Sequence, residues 1–338
     1  MRVLHVTEAL GGGVQSAIAN YVDGLPDVEH ALFSRARNGQ ATYTWSRPLD
    51  HEDYAGGLGG FFLRLVRKVR AERPDIVHLH SSFAGGARAV LPPGTPVVYS
   101  PHCYAMERRD LGAAARAGYT AIEYLLARRT RAVVAVSLRE AALSRRLSSR
   151  VPAEVALNPA PFEAPTAVGA RSDPAEVVMV GRISPQKDPG LFAAVARASH
   201  GYPWRFVWVG DGDAAARADL MRAGVEVTGW TAPETAARRV ARARLYLHSA
   251  AWEGGPLSTI EAATLGTPVL ARDIPSMSSL GYALAGERPE ELAQAVHRYF
   301  TDARYARRVA ERTASVAEAS NATAMSAAVR DAYARAVR

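Results

Sequence analysis

Short β-rich runs alternate with amphipathic helical runs along this chain, and the alternation starts afresh near residue 175. A parallel strand can only be reached by a crossover, and a crossover helix needs a sheet to cover, so the pattern dictates parallel sheets wrapped by helices. In the first half it predicts strands near 2–7, 29–34, 76–80, 97–100 and 132–136, with helices such as 61–72 and 113–129 between them. In the second half strands are expected near 176–181, 205–209, 225–228, 245–248 and 268–271. Both halves open alike. Val3–Thr7 leads into Gly11-Gly12-Gly13 and a helix from Val14, and Val177–Val180 leads into Gly181-Arg182, a polar loop and a helix from Pro189. A strand feeding a helix start aims backbone N–H groups at the carboxyl edge of a sheet, where anions bind. The fold class is α/β, a duplicated pair of doubly wound domains with a cleft expected between them.

The length of 338 residues suits two domains of roughly 100–200 residues each. Asn158-Pro159-Ala160-Pro161-Phe162-Glu163-Ala164-Pro165, with the stretch on to Pro174, is the linker candidate, because proline propagates neither regular element. The expected division is 1–165, 166–310 and a C-terminal helical segment, 311–338, interrupted near Asn321 and returning to the first domain. The single Cys103 excludes an internal disulfide and suits a reducing compartment. Met1 runs straight into a strand, and no stretch approaches the ~18 apolar residues of a membrane span, so the expectation is a cytoplasmic protein. The net charge of +8 is carried by arginine: of 41 basic residues only Lys68 and Lys187 are lysines. Arginine-rich codon usage explains that excess more simply than nucleic-acid binding, and no nucleic-acid partner is expected.

Two segments carry chemistry. In Glu253-Gly254-Gly255-Pro256-Leu257-Ser258-Thr259-Ile260-Glu261, Pro256 suits a first helical turn, where its missing donor costs nothing. Glu253 then precedes the helix, and Glu261 lies about 7.5 Å along the axis from Pro256. Between these carboxylates the amides of Leu257 and Ser258, beside Gly255, are placed to hold a diphosphate. A solvated helix face bearing two ordinary glutamates would give the same letters. In Val180-Gly181-Arg182-Ile183-Ser184-Pro185-Gln186-Lys187-Asp188, a strand end is followed by two cations able to clamp the phosphates of a leaving nucleoside diphosphate. Lys187, a lysine kept in an arginine-saturated chain, weighs toward function over mere surface charge.

The pair Glu253/Glu261 with seven residues between them, Gly181-Arg182 and Lys187 upstream, the Gly11–Gly13 turn and Asp75-Ile76-Val77-His78-Leu79-His80 together resemble glycosyltransferase family 4. That resemblance implies a GT-B architecture of two facing Rossmann-like domains. It implies a retaining transferase that needs neither metal nor cofactor and uses a nucleoside-diphosphate sugar as substrate. It places Arg182 and Lys187 on the donor diphosphate, Glu253 on the donor sugar, Glu261 on the ribose, and Gly12 and Gly13 over the phosphates and the transferred sugar. His102, in Tyr99-Ser100-Pro101-His102-Cys103-Tyr104 after a strand, falls where the family has a histidine near that sugar. The catalytic set so implied is His102, Arg182, Lys187 and Glu253. The sequence offers no second acid for a double displacement, so departure of the phosphate on the face of attack is the expected route to retention.

Other features read more blandly. His102 and Cys103 are neighbours, and in extended chain they point to opposite sides, which disfavours a nucleophilic dyad. Asp211-Gly212-Asp213 imitates a metal-binding pair of another transferase fold, but Asp213 is placed to cap the helix from Ala214, so a turn and a cap are expected. Trp230, after another strand, is a candidate for the nucleotide base.

For the acceptor, His80, Arg108 and Arg109 are candidates, with Arg116 beside them. The acceptor itself is left as a sugar, a lipid-linked molecule or a small molecule. The basic, apolar segment 61–70 either rests on the inner face of the membrane or packs Phe62, Leu65 and Val69 on its own sheet. Stretch 99–106 resembles members that build surface polysaccharides; a glycolipid, a soluble natural product or a sugar phosphate are alternative products. A nucleotide-sugar epimerase or hydrolase, and a silent sugar-nucleotide binding protein, compete with transfer. A nicotinamide dehydrogenase is disfavoured, because Ser16 stands at the third glycine position and no acid follows the second strand.

Overall fold

The structure is a computed structural model that describes residues 1–36, 45–162 and 170–338. The chain forms two compact units: Met1–Glu107, Leu111–Pro159 and Asn321–Arg338 make the first, and Arg108–Asp110 with Ala160–Ser320 the second. The expected boundary at 165 lies outside the described residues.

The first unit is built on seven parallel strands: β1 (Arg2–Leu10), β2 (Glu29–Ala36), β3 (Asp50–Asp53), β4 (Ile76–His80), β5 (Val97–Ser100), β6 (Ala132–Ala135) and β7 (Ala153–Val155). Their order is β3-β2-β1-β4-β5-β6-β7, so the winding reverses between β1 and β4. One sheet face packs Phe33, Phe61, Leu65 and Val69 with Leu79 and Tyr99. The other packs Val3, Ile76 and Val98 under Tyr21 of the helix Gly12–Gly24 and under Met325, Val329 and Tyr333 of the helix Ala322–Ala336. The last helix of the chain thus completes the first unit. Asn321 caps it, accepting from the Ala324 amide at 2.8 Å.

The helix Leu58–Glu72 packs segment 61–70 on its own sheet. Its buried side chains are Phe61, Leu65, Lys68 and Val69, and Phe62 packs against the same core partly buried. Lys68 is drawn in by Glu72 at 2.6 Å and Glu52 at 3.1 Å, and Arg64 pairs with Glu52 at 2.6 Å. Its apolar stripe belongs to the core. No helix among the described residues is long and apolar enough to cross a membrane.

The second unit has six parallel strands: β8 (Ala175–Val180), β9 (Trp204–Val209), β10 (Glu226–Val227), β11 (Leu245–His248), β12 (Val269–Ala271) and β13 (Ala283–Leu284). The order β10-β9-β8-β11-β12-β13 reverses between β8 and β11. Strands β8, β9 and β11 read as near-continuous apolar runs because helices cover both faces. Met179, Val207, Trp208 and Leu247 are fully buried among Phe192, Ala262 and Val296.

Candidate active site

Ligands of open α/β sheets bind outside the carboxyl ends of the strands where the winding reverses. In the second unit that point is the pair β8/β11, and the loops leaving these two strands are stitched together. The Ala251 amide donates to the Gln186 carbonyl at 2.8 Å, and Ser249 Oγ donates to the Lys187 carbonyl at 2.8 Å. Gln186 Nε2 donates to the Trp252 carbonyl at 3.3 Å and to Glu253 Oε2 at 3.2 Å. The Tyr246 hydroxyl accepts from the Val180 amide at 3.2 Å and lies 3.0 Å from Ser258 Oγ, tying both strands to the next helix.

This scaffold holds Lys187 Nζ 2.5 Å from Glu253 Oε1, with the side chains only 17% and 8% exposed. Burial alone would push the Glu253 carboxyl up, but the Lys187 ammonium and the nearby His248 outweigh it and hold the group at about 2. His248 Nε2 stands 3.8 Å from Glu253 Oε1, beyond hydrogen-bond length, so lysine is the bonded cation. Burial pushes the carboxyl of Glu261 up, opposed by Lys187.

Glycines make room for this. Gly181 has φ +148°, and a Cβ there would lie 3.1 Å from Lys187 Cε. Side chains at Gly210 and Gly212 would come within 2.2 Å of the carbonyl oxygens of Gly181 and Ile183. The loop after β9 therefore runs backbone against backbone along the loop after β8, with the Ile183 amide donating to the Asp211 carbonyl at 2.9 Å and the Asp213 amide to the Ile183 carbonyl at 3.0 Å. Asp213 caps its helix, accepting from the Ala216 amide at 2.8 Å, and Asp211 pairs with Arg217 at 3.3 Å. That segment is a turn and a cap.

The helix Leu257–Thr264 begins after Pro256, which stands one place earlier than the first-turn position expected of it, and no side chain caps the helix. Helices that follow Asp188, Asp213, Ser137 and Asn321 are all capped by those residues. The Leu257 end therefore keeps its positive pole available to an anion. Asp188 is held at φ +49°, accepting from the Leu191 amide at 3.0 Å and pairing with Arg272 at 2.7 Å.

Lys187, Gly181, Glu253, Gly255, Leu257, Ser258 and Glu261 thus lie on one stitched pair of loops and the helix that follows. Arg182 is exposed on the same loop and makes no ion pair among the described residues. Trp230 is 67% exposed and stacks on no other ring among the described residues. Arg108 pairs with Asp110 at 2.7 Å and Arg109 with Glu287 at 2.7 Å, both within the second unit, so an acceptor anion would compete with a carboxylate at each. Gln186, Tyr246, His248 and Arg272 were not singled out from the sequence. His248 alone gave a signal, as a polar residue closing an apolar strand.

In the first unit Gly12, at φ +56°, opens the helix directly, so Gly12 and Gly13 form an exposed first turn where a loop was expected. His80 is wholly buried with both ring nitrogens bonded, to His5 at 2.9 Å and His102 at 3.0 Å. It bonds its neighbour His102 and has no ring nitrogen left over for an acceptor. His102 and Cys103 have φ +50° and +99°, so the extended-chain argument against a dyad does not apply to them. Glu140 secures this turn, accepting from the Cys103 amide at 2.7 Å and the Val136 amide at 2.8 Å. Burial pushes the Glu140 carboxyl up to about 7.

Comparison with known proteins gives this geometry a class. Residues 11–159 match the model described as Glycosyltransferase Family 4, and residues 174–302 the model described as Glycosyl transferases group 1. Sucrose-phosphate synthase from Thermosynechococcus elongatus is similar in structure with a TM-score of 0.80, at 16% identity over 99% of both chains. HepE from Anabaena, solved in complex with UDP and glucose, gives 0.76 at 16% identity over 98% of both. The lipopolysaccharide outer core galactosyltransferase WaaB gives 0.70 at 16% identity over 98% of this chain and 99% of that one. At such identities the likeness shows the fold, which is GT-B. The chain belongs to the glycosyltransferases of the group 1 and family 4 type. It is also 23% identical, over 82% of each chain, to an uncharacterized 41.2 kDa protein in the cps region of Klebsiella pneumoniae.

Proposed function

We propose that this glycosyltransferase moves a sugar from a nucleoside diphosphate to an acceptor hydroxyl with retention and without a metal, in the synthesis of a surface polysaccharide or glycolipid. The observation that carries the reading is the Lys187–Glu253 pair beside the uncapped start of the helix Leu257–Thr264. The diphosphate takes Lys187, Arg182 and the amides of Leu257 and Ser258, with Gly255 leaving room for its approach. Glu253, ionised by its surroundings, accepts from hydroxyls of the donor sugar, and Glu261 from those of the ribose. Cations set against the departing phosphate stabilise the charge that grows as the glycosidic bond breaks, a term of roughly 3–4 kcal/mol per group in related chemistry. The resemblance assigns the transferred sugar to His102, Gly12 and Gly13, and exposed Trp230, after a strand end, is the candidate for the base.

Support for the donor class comes from HepE, solved with UDP and glucose, and for the product class from WaaB and the cps-region relative. The test is a thermal-shift and calorimetric screen of UDP, GDP and ADP with their sugars, in the presence of a chelator. A ligand that binds only the native state raises its melting temperature by mass action. Binding of one nucleotide series, followed by a product whose new glycosidic bond keeps the donor's anomeric configuration, is expected. Binding lost to the chelator would overturn metal independence, and an epimer or free sugar without glycoside would overturn transfer.

A further inference from the structure

Four histidines of the first unit lie end to end. His30 Nε2 sits 3.1 Å from the carbonyl oxygen of Leu25. His30 Nδ1 is 3.0 Å from His5 Nε2, His5 Nδ1 is 2.9 Å from His80 Nε2, and His80 Nδ1 is 3.0 Å from His102 Nε2. The sequence spacing makes this possible, because β1 and β4 pair in register with His5 opposite His78, and alternate residues of a strand share a face. Burial lowers the proton affinity of all four rings, so each is a neutral imidazole with one N–H and one lone pair.

The protons in such a chain are not independent. A carbonyl only accepts, so His30 must carry its proton on Nε2, which leaves a lone pair on Nδ1. That lone pair requires the proton of His5 to be on Nε2, and His5 Nδ1 in turn requires the proton of His80 on Nε2. The same step fixes His102 with its proton on Nε2 and a lone pair on Nδ1, for which the described residues supply no partner. We propose that His30, His5 and His80 are positioning residues, a polarised chain anchored on the Leu25 carbonyl that presents His102 Nδ1 as a hydrogen-bond acceptor for a sugar hydroxyl. The sugar contact rests on the transferase reading; the direction of the chain does not.

A metal site is the competing use of these rings. Nitrogens of His5, His78 and His80 come within 4.8 Å of one another. Yet His78 spends both of its nitrogens on Tyr333 Oη and Ser100 Oγ, each at 2.8 Å, and His5 and His80 spend theirs within the chain. An ion would have to displace bonds already made.

The experiment is nitrogen-15 NMR of the histidine rings in the full chain, using one-bond and across-hydrogen-bond couplings. Wild type should show the proton on Nε2 in all four rings, with a coupling across each N–H···N contact. A ring protonated on Nδ1, missing couplings, or one equivalent of metal retained in the purified protein would overturn the chain. His30 is only half-buried, so variants there spare the fold. His30→Asp supplies an acceptor near the old Nδ1 and should preserve the direction. His30→Lys supplies donors alone and should reverse it, moving the His102 proton to Nδ1 and lowering kcat/KM about ten-fold, the worth of one neutral hydrogen bond. Since the spectra need no sugar, they decide the chain even in a protein that transfers nothing. Reversal with unchanged kcat/KM would remove the sugar contact.

Discussion

Each unit of this protein winds a parallel sheet in both directions from a central switch point, and the two place opposite chemistry there. The second unit buries an ion pair, Lys187 with Glu253, on loops cross-linked by Gln186, Ser249 and Tyr246. The first buries neutral rings that need no counter-charge: His5 and His80 bond each other, and His78 bonds the hydroxyls of Tyr333 and Ser100. The glutamates make the contrast quantitative. Glu253 and Glu140 are both nearly excluded from water, but a cation holds the first at about 2 while two backbone amides leave the second at about 7. Burial pushes both carboxyls up, and the strength of the opposing partner decides which way the balance falls.

The largest test of this contrast is Lys187→Ala. It removes the diphosphate's buried cation and should cut kcat/KM by ~10²–10³-fold. It also strands Glu253, so denaturant unfolding at neutral pH should show a loss of about 3 kcal/mol. Adding Glu253→Gln should recover stability without recovering turnover; an unchanged midpoint in the single variant would break the comparison.

The pH dependence of stability should separate the units next. Glu253 has a lowered pKa in the fold, so its contribution is complete above the unfolded value of 4.5 and is lost as pH falls toward about 2. Glu140 has a raised one, so the fold prefers its protonated form and stability declines as pH rises from 4.5 to about 7. Each limb amounts to roughly 3 kcal/mol. Urea midpoints against pH for Glu253→Gln and Glu140→Gln should each flatten one limb only, and loss of the same limb in both would sink the assignment.

A smaller effect is expected at Glu261, whose carboxyl burial pushes up with only Lys187 opposing. Glu261→Ala should raise donor KM roughly ten-fold with little change in kcat, the mark of a contact made equally in ground and transition states. An unchanged KM would end the ribose assignment. Least of all, Asp213→Ala should cost about 1 kcal/mol as a lost helix cap and leave transfer intact. Loss of activity there would reopen a metal role for Asp211 and Asp213.

Ten of the thirteen strands among the described residues were legible in the sequence, because buried parallel strands are uninterrupted apolar runs. The three that were not, β3, β7 and β13, lie at sheet edges; Asp50–Asp53 is an acidic, largely exposed run with no apolar pattern to read. Lys187, Glu253 and the Pro256 helix start were legible because punctuation and charge fall at fixed offsets from a strand. The histidine chain was not. His5, His30, His80 and His102 come together through strand register, and no spacing along one segment encodes it. The ion pair of Arg109 was equally hidden, since Glu287 is remote in sequence, whereas Asp110 stands two residues from its partner Arg108.

The order of synthesis gives the last helix a further meaning. A ribosome releases Met1–Pro159 long before Asn321–Arg338, yet Met325, Val329 and Tyr333 cap the layer over Val3, Ile76 and Val98. At elongation speeds of roughly 5–20 residues per second the intervening stretch takes on the order of ten to thirty seconds to make. Until Tyr333 is made, the layer over Val3, Ile76 and Val98 lacks its last helix and His78 Nδ1 lacks its hydroxyl partner.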